Sequence, residues 1–108
     1  MNFKMSKNIA VRPKGNFNQA VDFYTRVLGF KNRSNDPKLA NLDADPITLF
    51  IMEDDEFHGP ILELFVNDLD QACAILEANG CKVLRWHGKG QDCYIQDPFG
   101  VIFNLWEE

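Results

Sequence analysis

Histidine is scarce in this chain of 108 residues: only His58 and His87 occur. His58 falls in an acidic, breaker-rich linker and His87 in the turn Trp86-His87-Gly88-Lys89-Gly90, so both read as solvated loop residues and no Ser-His-Asp arrangement can be argued. Cysteine is limited to Cys73, Cys81 and Cys93. An odd count without Cys-x-x-Cys spacing is expected of reduced cytoplasmic thiols. No basic stripe is visible, and the net charge of -5 with pI near 4.9 argues against a nucleic-acid partner. Met1-Asn2-Phe3-Lys4-Met5 lacks the apolar run of a signal peptide, and no stretch approaches membrane-spanning length, so a cytoplasmic protein without membrane contact is expected. Glu53-Asp54-Asp55-Glu56 lacks the alternating oxygen ligands and central Gly of an EF-hand. Gly88-Lys89-Gly90 lacks the strand-turn-helix setting of a phosphate loop.

What remains is ordinary globular composition, 45% hydrophobic and 25% charged. A chain of this length buries about 65% of its unfolded surface, enough for a core without staples. The informative feature is repetition. Phe17-Asn18-Gln19-Ala20 is echoed by Leu69-Asp70-Gln71-Ala72, and Asp45-Pro46 by Asp97-Pro98, both at an offset of 52 residues. Two matches at one offset in one order predict two copies of a supersecondary unit. A single domain over residues 1–108 is expected, with modules at about 6–53 and 60–107.

Each copy reads β-α-β-β-β. In the first, a strand over residues 8–12 precedes a helix capped by Asn16 or Asn18. Phe17, Ala20, Val21, Tyr24, Val27 and Leu28 form that helix's apolar stripe, and Gly29 ends it. Strands over 30–33, 39–42 and 47–52 follow. In the second, a strand over 61–66 leads to a helix over 69–79 capped by Asp68, with Gln71 suggesting a capping box. Leu69, Ala72, Cys73 and Leu76 are its buried stripe. Strands over 82–86, 92–96 and 101–106 complete it. Asp97-Pro98-Phe99-Gly100 is the turn before the last strand, where Asp bonds forward and Pro sets φ. Along that strand Val101, Phe103 and Leu105 alternate with Ile102, Asn104 and Trp106. Each helix covers one sheet face with its apolar stripe, which leaves the opposite, half-polar face to line something.

Ala20-Val21-Asp22-Phe23-Tyr24-Thr25-Arg26-Val27-Leu28-Gly29-Phe30 resembles the first-helix signature of the vicinal oxygen chelate superfamily, and Asp97-Pro98-Phe99-Gly100 with its strand resembles that family's closing signature. The superfamily includes glyoxalase I, bleomycin resistance proteins and extradiol dioxygenases. The resemblance implies an α+β fold of tandem β-α-β-β-β modules, a curved eight-stranded mixed sheet with helices on the convex face. It also implies a divalent metal held on the concave face by His, Gln or Glu from four strands. Carried over, those positions fall on Asn8, on Ile61 or a neighbour, on Asn104, and on the face shared by Thr48, Phe50 and Met52, where the register is open. None is His or a carboxylate, and zinc, iron, nickel and manganese ask for such donors. No catalytic residue, no metal ligand and no cofactor are therefore assigned.

The residues leave a binding protein in first place. Arg12 lies four residues after Asn8, so both emerge on one strand face. Its guanidinium is a permanent forked clamp for a carboxylate, as in some relatives, or else the partner of Glu63 in a salt bridge. Glu63 is a candidate base or ligand contact. Phe50, Tyr94 and Trp106, with Trp86 a further candidate, offer flat apolar area for a planar ligand, or plain core. The expected ligand contacts are Asn8, Arg12, Phe50, Glu63, Tyr94, Asn104 and Trp106. Phe23 and Tyr24 read as core or dimer packing, and open strand edges point to a homodimer. The leading expectation is metal-free sequestration of a planar or polar small molecule, similar to the bleomycin resistance branch and hence to antibiotic resistance. The alternative is a lyase, isomerase or dioxygenase with a rearranged metal site using Glu63 and a histidine. A module that only dimerises or regulates is the third.

Overall fold

The computed structural model describes residues 2–108. The fold is α+β, an eight-stranded mixed, unclosed sheet with two helices. In chain order β1 is Lys4–Arg12, α1 Phe17–Asp22, β2 Lys31–Asn32, β3 Ala40–Ala44 and β4 Ile47–Ile51. Then come β5 Gly59–Val66, α2 Leu69–Ala78, β6 Lys82–Trp86, β7 Cys93–Gln96 and β8 Ile102–Glu107. The β-α-β-β-β order runs twice, as the repeat implies. Two compact units divide the chain: Lys7–Ile61, and Leu62–Glu108 together with residues 2–6. No helix among the described residues is long and apolar enough to cross a membrane.

In the Lys7–Ile61 unit the strand order is β2-β3-β4-β1, with β1 and β4 parallel and the other pairs antiparallel. Asn8 lies opposite Thr48, Ala10 opposite Phe50 and Val11 opposite Ile51. One face therefore carries Val11, Leu42, Leu49 and Ile51, which pack with Phe17, Val21 and Tyr24. Leu42 and Ile51 are completely buried. Each contributes about 1.5–3 kcal/mol of apolar burial.

Asn16 caps α1 from extended backbone, its Oδ1 accepting from the Gln19 amide at 2.9 Å. The helix does not run on to Leu28 in α form. After Asp22 the backbone widens into a π-helical turn, Phe23–Val27, where the Leu28 amide reaches back five residues to the Phe23 carbonyl at 3.2 Å. Thr25 gives the local cause. Its hydroxyl donates to the Val21 carbonyl at 2.8 Å, competing for the acceptor of an ordinary α-helical bond. The wider turn shifts the phase of the stripe. Tyr24 stays packed on the core, while Val27 and Leu28, expected to be buried, are about half exposed at 54% and 46%.

In the other unit the order is β5-β8-β7-β6, with β5 and β8 parallel and the rest antiparallel. Asp68 accepts from the Gln71 amide at 3.0 Å and caps α2. Leu69, Ala72 and Cys73 face Val66, Cys93, Ile95 and Leu105 in a closed core, with Leu76 beside them. Gly80 ends α2 at φ +93°, in the left-handed region that favours glycine. A Cβ there would stand 3.2 Å from Cγ of Pro98. The Asp97 turn works as its sequence suggests: one carboxylate oxygen accepts from the Phe99 and Val101 amides at 2.8 and 2.9 Å.

Between Val83 and Arg85 the β6–β7 register shifts at a bulge. Val83 faces Ile95, but Arg85 then faces Tyr94 and Trp86 faces Cys93. The extra residue reverses which side the following residues take. Trp86 thereby joins the core beside α2, with Nε1 donating to the Gly88 carbonyl at 2.7 Å. It is a core residue rather than a ring on the opposite face.

Candidate functional site

The side of each unit's strands turned away from its helix carries the polar residues. In the Leu62–Glu108 unit, β5, β8, β7 and β6 bring Glu63, Asn104, Tyr94 and Arg85 into one transverse row, since each is the register partner of the next. Trp106, two residues beyond Asn104, lies on the same side and opposite Phe65. Asp92 belongs to the row through the same alternation from Tyr94.

The row is tightly bonded. Ser6 Oγ donates to Glu63 Oε1 at 3.1 Å. Asn104, 3% exposed, uses both ends of its amide: Oδ1 accepts from the Cys93 backbone N–H at 2.8 Å and Nδ2 donates to Asp92 Oδ1 at 3.0 Å. Tyr94 is fully buried and its hydroxyl donates to Asp92 Oδ2 at 3.3 Å. The Arg85 guanidinium stands 4.8 Å from the Tyr94 ring centroid, within cation–π range. Asp92 thus receives both Asn104 and Tyr94, a carboxylate tie at the middle of the row.

In the Lys7–Ile61 unit, Asn8 faces Thr48, which faces Asp43 on the other side, and Phe50 lies between Ala10 and Asn41. This resolves the register around Thr48 and Phe50 that the sequence leaves open. Arg12 continues the side of Asn8 and Ala10 and is 4% exposed. Arg33 spans this side, with Nη2 donating to Asn41 Oδ1 and to Thr48 Oγ1, each at 3.1 Å.

Of the sequence candidates, one unit brings together Glu63, Tyr94, Asn104 and Trp106, and the other Asn8, Arg12 and Phe50. Sequence reasoning misses Ser6, Arg33, Arg85 and Asp92. Ser6 was within reach: extending the alternation of Asn8, Ala10 and Arg12 two residues earlier adds it. Asp92 follows in the same way from Tyr94. Arg85 carries no such signal, because strict alternation puts it with Val83 against the helix and only the bulge turns it over.

The positions where the resemblance expects metal donors do not fit a divalent transition ion. Ile61 is aliphatic and 1% exposed. The oxygen of Asn104 is already bound to a backbone N–H, and a neutral amide is a weak donor in any case. Among the described residues no group of three or more His, Cys, Asp or Glu side chains is placed to hold a metal ion.

The thiols lie away from this row. Cys73 on α2 and Cys93 on β7 are in contact, Sγ to Sγ 3.8 Å. Burial pushes the Cys93 thiol up to about 12, helped by the neighbouring Cys73. Burial also raises Cys73 and Cys81. These thiols are held neutral and are poor nucleophiles.

Comparisons with known proteins agree with this architecture. The model of the Glyoxalase/Bleomycin resistance protein/Dioxygenase superfamily matches residues 8–105. No curated protein matches the sequence. Among solved structures, a superfamily member from Vibrio splendidus 12B01 is 17% identical, with 99% of this chain and 98% of that one covered and a TM-score of 0.64. A hypothetical protein from Bacillus halodurans C-125 is 15% identical over 100% and 96% of the chains, with a TM-score of 0.69. An extradiol ring-cleaving dioxygenase from B. fuscum is 19% identical, with a TM-score of 0.60 over 97% of this chain but 31% of its own. Identities this low carry the fold alone.

Proposed function

The chain belongs to the Glyoxalase/Bleomycin resistance protein/Dioxygenase superfamily, and from that premise we propose that it binds a planar or polar small molecule without a resident metal and without transforming it. The observation that carries this reading is Asn104. Where metal-dependent relatives are expected to place a carboxylate on the last strand, this chain has an amide spent on Cys93 N–H and Asp92. Its chemistry is that of a structural tie. Glu63 and Trp106 in one unit, and Asn8, Arg12 and Phe50 in the other, are the proposed ligand contacts, with Tyr94 and Asn104 as the buried support of the first set. Rings supply area at little entropic cost, and Glu63 and Arg12 supply orientation.

A homodimer belongs to the same proposal. The exposed apolar side chains of Phe23, Val27 and Leu28 support it, since such patches mark interaction surfaces. Light scattering at tens of micromolar, about where a weak dimer forms, is expected to give twice the chain mass.

The central test pairs elemental analysis of purified protein with a thermal-shift ligand screen, with and without divalent metals. Sub-stoichiometric zinc, nickel, iron and manganese, and a melting temperature raised by a small molecule but not by metal, are expected. Stoichiometric metal would overturn the proposal in favour of a rearranged metalloenzyme. Trp106→Ala and Arg12→Ala are expected to weaken any ligand the screen finds.

A further inference from the structure

The helix side of the Leu62–Glu108 unit holds a sulfur pair that ligand binding does not use. Cys73 lies in the second turn of α2, and Cys93 opens β7. They are 20 residues apart in the chain, and the packing of α2 on the sheet brings their sulfurs into contact at 3.8 Å. Both belong to the closed cluster that contains Leu69, Ala72, Ile95 and Leu105. A free Cys packs as a small hydrophobe, so Ala or Val could fill either place. The core of the other unit, around Phe17, Ala40, Leu42 and Ile51, contains no sulfur. Laying a helix on these strands therefore does not call for thiols. What two contacting thiols add is the capacity to join.

We propose that Cys73 and Cys93 are a redox pair, which a peroxide converts into a disulfide that ties α2 to β7. Cys73 reacts first, because it is 5% exposed whereas Cys93 is completely covered. Its sulfur loses a proton and attacks one peroxide oxygen. The O–O bond breaks, hydroxide leaves and takes up that proton as water, and Cys73 becomes a sulfenic acid. The Cys93 sulfur then attacks the Cys73 sulfur. The S–S bond forms, the S–O bond breaks, and the hydroxyl leaves with the Cys93 proton as a second water. Two thiols are oxidised and one peroxide is reduced. The sulfurs must close from 3.8 Å to about 2.05 Å, a small approach that leaves α2 on the sheet. Burial holds both thiols neutral. The conversion is therefore slow, on the order of hours, and answers sustained oxidant rather than a brief pulse.

This pair is independent of the ligand-binding reading, since it lies on the opposite side of the sheet from the proposed contacts. The test treats the folded full chain with hydrogen peroxide, quenches it, alkylates the remaining thiols in guanidinium and maps the peptides by mass spectrometry without reduction. A peptide linking Cys73 to Cys93 is expected, lighter by two hydrogens than its separate parts and released by dithiothreitol. Cys81, which is only partly buried, serves as the internal control. Cys81→Ser is expected to leave the link unchanged. The bridged chain is expected to melt roughly 10 °C above the reduced one, because the bond restricts the unfolded state. A link through Cys81, a disulfide between chains, or Cys73 and Cys93 both still alkylated after a day of treatment would each overturn the inference. So would Cys73 oxidised to the sulfinic acid with Cys93 still free, or a bridged chain that melts no higher than the reduced one.

Discussion

The two units share a plan and use it differently. Each has a capped helix laid on a strand set, with N-caps Asn16 and Asp68 at the repeat spacing. Their apolar sides are alike in kind, but their polar sides are not. In Lys7–Ile61 Arg12 is buried, but the side chain-to-side chain bonds across the strands, Arg33 with Thr48 and Asn41, are between partly exposed groups. In Leu62–Glu108 they are buried around Asn104, Tyr94 and Asp92. Side chains that hold a helix to a sheet are constrained by volume and stay apolar in both copies. Those on the other side are constrained only by what they touch, so the copies have diverged there.

The largest test of that contrast is Asn104→Ala against Thr48→Val. The first strips a buried Cys93 N–H of its acceptor and should cost about 2–3 kcal/mol, whereas the second removes one partly exposed bond and should cost under about 1 kcal/mol. Equal losses in urea denaturation would break the comparison.

Next come the glycines that end the helices. Gly29 at φ +81° has open space around its Cβ position, while Gly80 at φ +93° faces Pro98. Gly29→Ala should cost about 1 kcal/mol from the backbone alone. Gly80→Ala should cost roughly twice that, since Pro98 must also yield. Similar midpoints for the two variants would mean that Pro98 gives way freely.

Removing the caps should equalise the units. Asn16→Ala and Asp68→Ala each delete one side chain-to-amide bond and should each cost about 1 kcal/mol. A far smaller loss for Asn16 would indicate that the short α1 is held by Phe17 and Tyr24 packing alone.

The smallest effect at neutral pH belongs to the thiol. Cys93 has its folded pKa raised from 9 to about 12, so the folded state keeps a proton that the unfolded state loses. Stability from this source is complete below pH 9 and is lost as pH rises from there toward 12. Denaturation midpoints should be flat from pH 7 to 8 and fall above 9, and Cys93→Ala should remove part of that fall. A parent and variant with parallel pH profiles would sink the assignment.

Much of the fold could be read from the sequence because its signals are local and periodic. The offset of 52, the caps and the strand of alternating residues before Trp106 all survive in the structure. Two departures have physical causes that composition hides. The Thr25 hydroxyl competes with the helix ladder, so Val27 and Leu28 leave the stripe. The bulge before Arg85 inverts the alternation of β6. The polar row was partly legible, since Glu63, Tyr94 and Asn104 follow from alternation. That Tyr94 and Asn104 would be buried and tied to Asp92 was not, because burial depends on neighbours that periodicity does not name.

The bulge in β6 acts as a lock on reading frame. β6 is an edge strand, the kind most prone to slip by a residue. Sliding the chain back by one place would carry Arg85 into the packed sulfur and aliphatic cluster and push the Trp86 indole out to water. Both moves are costly, one through charge desolvation and the other through lost apolar burial. Deleting Leu84 should therefore unsettle the whole edge rather than tidy it, which makes an irregularity one residue long the guarantor of alignment for its strand.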